Sequence, residues 1–146
     1  MELRNVGIAI SESELIGIEQ KMNLLLPIEF KEFYLQHNGG NPVVNTYYRW
    51  KEEEKARINS FDRIKKNNGI GLEVLYENLI VKESYLPLGI IPFANDDSGN
   101  MFCLSARESD FGSVYYCNND DYNIDNKEEC LTLLDRSFKR FIDNLV

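Results

Sequence analysis

The sequence predicts an α+β fold. A mainly antiparallel sheet of four to six strands carries two N-terminal helices, a short middle helix and a C-terminal helix packed on it. Three observations give this class. Residues 88–117 hold three short apolar runs joined by two polar turns, about the minimum for a stable antiparallel sheet. Helical patterns come first and last, with the strands between them. No repeat, low-complexity tract or linker divides residues 1–146, a length that suits one domain.

Ser11-Glu12-Ser13-Glu14 opens the first helix, a hydroxyl cap followed by acids in the first turn. Leu15, Ile18, Met22 and Leu25 then recur at helical spacing. Pro27 ends that helix and opens the next at its first turn, where the missing N–H costs nothing. Phe30, Phe33, Tyr34 and His37 line one face of the second helix, and Asn38-Gly39-Gly40 stops it with a glycine available for left-handed backbone.

Residues 41–50, with Val43, Val44, Tyr47, Tyr48 and Trp50, read as extended, and 51–55 as a solvated charged turn. A strand is expected through 58–61 and a loop at 65–69; Leu72, Leu75, Tyr76 and Leu79 fit a short helical face. In the meander, 88–93 is an apolar run of the kind buried on both faces, Asp97-Ser98-Gly99-Asn100 is a turn, and 101–104 and 114–117 are the second and third strands. The Asn- and Asp-rich connection 118–126 has room for one more short strand at 122–124. Leu131, Leu134, Phe138, Phe141, Ile142 and Leu145 trace a single apolar stripe, the pattern of the last helix.

Apolar residues make up 43% of the chain, enough for an ordinary core, and no segment approaches the ~18 apolar residues of a membrane span. The amino terminus lacks the basic region, apolar core and cleavage site of a signal peptide, so a cytoplasmic protein is expected. Cys103, Cys117 and Cys130 lack CxxC spacing and read as buried, reduced thiols; Cys103 and Cys117 are placed to meet across the second hairpin.

The net charge of −8 is unevenly spread. Residues 94–125 carry seven acids against Arg107 alone, while 49–66 carry seven bases against four acids. An acidic surface repels phosphate backbones and attracts basic partners, which argues against direct nucleic-acid binding.

Catalytic and metal chemistry find little material. His37 is the only histidine, so a nucleophilic triad or multi-histidine centre has at most one member. Asp96-Asp97-Ser98-Gly99-Asn100 lacks the alternating acids and closing glutamate of a calcium loop, and Asn67-Asn68-Gly69-Ile70-Gly71 lacks the lysine and preceding strand of a phosphate loop. Carboxylates abound, but none is singled out as a catalytic pair. The expectation is a protein that is not an enzyme and uses no cofactor or metal. A protein-binding surface fits better: Asp96, Asp97, Glu108, Asp110, Asp120 and Asp121 sit in connections between strands, with Tyr116 and Tyr122 beside them as amphipathic anchors. Plain solubility is the competing reading of the same acids. Strand alternation sends one of Tyr115 and Tyr116 into the core.

Leu26-Pro27-Ile28-Glu29-Phe30-Lys31-Glu32-Phe33, running into Asn38-Gly39-Gly40, resembles the amino-terminal signature of the SUKH superfamily, the Smi/Knr-type domain. Leu88-Gly89-Ile90-Ile91-Pro92-Phe93-Ala94 with Asp97-Ser98-Gly99-Asn100 resembles its buried strand and turn, Gly112-Ser113-Val114-Tyr115-Tyr116 its next strand, and Phe138 and Phe141 its closing helix. The resemblance implies an α+β fold and, in bacteria, an immunity protein. Such a protein binds and neutralises a cognate polymorphic or contact-dependent toxin, often a nuclease, by stoichiometric occlusion. A basic surface on that toxin would complement the acidic turns. A regulatory scaffold for an endogenous protein is the alternative, and a small-molecule enzyme a more distant one.

Overall fold

The computed structural model describes residues 1–64 and 70–146; the loop expected at 65–69 lies outside them. After a short strand β1 (Leu3–Arg4), Ser11 caps α1 (Glu12–Met22). The Ser11 side chain accepts the Glu14 amide while the Glu14 carboxylate accepts the Ser11 amide, a complete capping box. Leu15, Ile18 and Met22 face the core as their spacing predicts. Asn23 ends the helix in left-handed backbone (φ 57°), so Pro27 does not terminate it and Leu25 is left 71% exposed. Pro27 instead occupies the N-cap of α2 (Ile28–Gln36), one position before the expected first turn. His37 lies just past α2 in extended backbone and therefore off the helical face assigned to it.

The Asn-Gly-Gly segment is explained by what surrounds it. The Asn38 side-chain amide donates to the Ile8 and Ile64 carbonyls at 2.8 and 2.9 Å, and its oxygen accepts the Ile64 amide at 2.8 Å. One buried side chain thus satisfies backbone from two remote segments. Gly39 (φ 72°) lies so close to the Phe61 and Asp62 carbonyls that a Cβ would come within 2.8 Å of both. Asn38→Ala is expected to cost about 3 kcal/mol in a urea melt, because each orphaned buried polar group costs about 1–3 kcal/mol.

Beyond it, the expected extended segment 41–50 divides into β2 (Asn41–Pro42), paired with β1, and β3 (Tyr47–Arg49), paired with β4 (Lys55–Arg57). The strand expected through 58–61 shortens to β5 (Ser60–Phe61). Helix α3 (Leu72–Leu75) forms where predicted and widens into a π-helical stretch, Tyr76–Lys82. The meander forms with one shift: β6 (Ile90–Asn95) starts two residues later than the expected 88–93 and leaves Leu88 67% exposed, while β7 (Met101–Ser105) and β8 (Val114–Cys117) form where expected. No strand forms at 122–124; residues 119–121 make a 3₁₀ turn.

The chain's end differs most from expectation. Leu131 and Leu134 belong not to a helix but to β9 (Leu131–Asp135), which pairs with β8, and only α4 (Phe138–Asp143) is helical. The main sheet is therefore antiparallel in the order β5-β6-β7-β8-β9. Alternation places Phe102 and Tyr116 on one face, where α2 and α4 add Phe30, Phe138 and Phe141 around Phe93. Cys103, Tyr115 and Cys117 occupy the other face. Cys103 stands opposite Tyr115, and the Cys117 thiol meets Cys130 at 3.5 Å, so the expected Cys103–Cys117 meeting gives way to another pair. Among the described residues no helix is long and apolar enough to cross a membrane.

Candidate partner-binding surface

The β6–β7 turn and the β8–β9 connection lie at the same end of the sheet, because Met101 and Cys117 are register partners and Cys117 also faces Leu131. The turn is closed from within. Asp96 Oδ1 accepts the Ser98 and Asn100 amides at 2.8 and 2.9 Å, and Oδ2 accepts the Tyr116 hydroxyl at 2.5 Å. Gly99 supplies the required positive φ of 83°. Burial, then the hydrogen bond to Asp96, raises the Tyr116 hydroxyl above its ordinary pKa, so it stays a neutral donor.

Asparagines carry this order across to the next connection. Asn100 donates to Tyr116 Oη at 3.0 Å and accepts the Asn119 amide at 3.0 Å, and the Asn119 side chain donates to the Gly99 carbonyl at 3.1 Å. The Tyr85 hydroxyl donates to Asn119 Oδ1 at 2.9 Å, and the Tyr85 ring stacks on Tyr122 with centroids 4.2 Å apart. Asp97, Asp120 and Asp121 project from this bonded shelf into solvent. Arg57 of β4 meets Asp97 at 3.1 Å, at the margin where the basic stretch approaches the acidic one.

The eight residues singled out in the sequence thus separate. Asp96, Asp97, Tyr116, Asp120 and Asp121 share one end, and Tyr122 joins them through Tyr85. Asp96 is 8% exposed and consumed by its turn, and Tyr116 is the inward-facing tyrosine at 9%. Neither offers its polar atoms outward. Glu108 and Asp110 lie at the opposite end, since successive hairpin connections alternate between the ends of a sheet. Tyr85, Asn100 and Asn119 organise the shelf but are not among those eight; in the sequence Asn100 is visible only as part of the predicted turn, Asn119 only as part of the asparagine-rich connection, and nothing marks Tyr85.

At that far end Arg107 holds Asp110 at 2.5 Å, and it also reaches Glu128 at 2.8 Å, a residue late in the β8–β9 connection, so this pair ties that connection to the far end. Ser105 and Tyr115 each donate to Asp110 at 2.5 Å. Burial pushes the Asp110 carboxyl up, but these hydrogen bonds outweigh it and hold the group well below the usual carboxylate range. A carboxyl depressed in the folded state adds stability above its unfolded pKa of about 3.9, and that stability is lost as pH falls further. Asp110→Asn is expected to lower the urea midpoint at pH 7 and to flatten its decline below about pH 4. An unchanged acid limb would contradict this role for Asp110.

Away from both ends, Ile16 and Ile28 line a groove between α1 and α2 of ≈ 310 Å³, with Lys31 and Glu32 at its edge. Among the described residues no group of three His, Cys, Asp or Glu side chains is arranged to hold a metal ion. The sequence model of the SMI1 / KNR4 family (SUKH-1) matches residues 9–144, nearly the whole chain. No curated protein matches it.

Proposed function

The chain belongs to the SMI1 / KNR4 (SUKH-1) family, and from that premise we propose that it is an immunity protein, which binds a cognate toxin one to one and neutralises it by covering its active site or substrate path. The observation that supports a particular surface is the shelf at the β6–β7 and β8–β9 end. Exposed Asp97, Asp120 and Asp121 stand there on a turn and a connection held by side-chain hydrogen bonds. Carboxylates on ordered backbone face a basic partner without first being immobilised, which lowers the entropic cost of association. Their field speeds encounter and disfavours acidic competitors. Arg57 partly neutralises Asp97 in the free protein and would be displaced or shared by a partner cation. Glu108, at the other end, is outside this surface.

The test is co-expression with the toxin gene expected directly upstream. Growth should be rescued by the wild-type chain and lost again when Asp97, Asp120 and Asp121 are all changed to lysine in a variant that retains its melting temperature. Rescue undiminished by the triple change would remove this surface from the reading. Failure of the wild-type chain to rescue would remove the immunity function.

A further inference from the structure

Cys117 closes β8 and Cys130 immediately precedes β9, 13 positions later. The two sulfurs are 3.5 Å apart and both side chains are buried. Cys117 faces Leu131 in register, and the Asn118 amide donates to the Cys130 carbonyl at 3.0 Å, so the backbones at this point are clamped side by side. Residues one step off a directly opposed pair lie roughly 6 Å apart at Cα, inside the span a disulfide bridges. Each thiol donates only a weak bond elsewhere, Cys117 to Asn119 Oδ1 at 3.7 Å and Cys130 to the Lys127 carbonyl at 3.5 Å. Cys103 is diagonal to Cys117 on the neighbouring strand, a position whose Cα separation of about 7–8 Å is too long for a bridge.

We propose that Cys117 and Cys130 are a modification site, a dithiol that a low-molecular-weight disulfide oxidises to an intramolecular bond closing the base of the β8–β9 connection. The exchange runs in two steps. The Cys130 thiolate attacks one sulfur of the small disulfide, forming a mixed disulfide and expelling one small thiolate, which takes up a proton. The Cys117 thiolate then attacks the Cys130 sulfur, the second small thiolate leaves and is protonated, and the protein has lost two electrons and two protons. Burial raises the pKa of both thiols, so exchange waits on local opening of the connection and is slow. The ring so closed contains Asp120, Asp121 and Tyr122. The bond therefore stiffens the end of the sheet assigned above to a partner, although the site rests on thiol geometry alone and stands or falls without that assignment.

The test treats the folded, reduced protein with excess oxidised glutathione, quenches with acid, and counts thiols in denaturant. The expected count falls from three to one, the product is two hydrogens lighter, and peptide mapping joins Cys117 to Cys130. The oxidised form should melt roughly 10 °C higher, from the closed loop's reduced entropy in the unfolded chain. Cys103→Ala should leave the bond intact, and Cys130→Ala should abolish it. Three thiols retained, a glutathione adduct that persists unresolved, or a link to Cys103 would each overturn the proposal, and the mapping of wild-type protein decides even if a variant fails to fold.

Discussion

Replacing Phe93 by alanine is expected to destabilise the protein by about 3–5 kcal/mol, a large part of the ~5–15 kcal/mol that holds a domain folded. Phe93 lies in β6 and is fully buried. Its ring meets Phe30 of α2 and Phe138 and Phe141 of α4 edge-on at 5.9, 5.5 and 5.9 Å, and stacks near Phe61 of β5 at 6.3 Å. Three elements distant in sequence converge on one side chain with four rings, so truncation opens a cavity that no single neighbour can fill. Urea melts should show a much lower midpoint with an unchanged slope, and Phe93→Leu should lose distinctly less. A loss below about 1 kcal/mol for the alanine variant would mean that the core is not centred here.

The second large effect concerns the acidic shelf. Changing Asp97, Asp120 and Asp121 together to lysine should weaken association with a basic partner about 100-fold at low salt. That equals roughly 1 kcal/mol for each reversed charge, and every 1.4 kcal/mol is tenfold. Most of the loss should appear in the association rate and shrink as salt screens the surface, since the Debye length falls to about 8 Å at physiological ionic strength. The matching change of Glu108, at the opposite end, should have little effect. Asp96→Lys is not an equivalent probe, because Asp96 holds its own turn and Tyr116. A triple variant with unchanged affinity and salt dependence would remove the electrostatic basis of recognition.

Local signals made much of the scaffold legible. The capping box at Ser11, the apolar runs of β6 to β8 and the turn chemistry around Gly99 each act within a few residues, so their patterns survive in a single sequence. The misread end shows where such signals fail. Leu131, Leu134 and Phe138 match helical spacing, yet pairing of 131–135 with β8 decides the conformation, and that partner lies well away in sequence. The true start of α4 was written at Ser137, whose side chain accepts the Arg140 amide and donates to Glu29 of α2 at 2.9 Å. The candidate surface was legible as composition but not as geometry. Counting acids cannot separate Asp97, which projects, from Asp96, which is buried one position earlier, because the difference lies in hydrogen bonds to Ser98, Asn100 and Tyr116.

If, as proposed, the protein acts by occupying a partner and not by turning over a substrate, a titration of toxin activity will show it. With the toxin held well above the dissociation constant, residual activity should fall linearly as the protein is added and reach its floor at one molar equivalent, independent of incubation time. Inactivation by a small fraction of an equivalent, deepening with time, would show catalysis and overturn the proposal of stoichiometric binding.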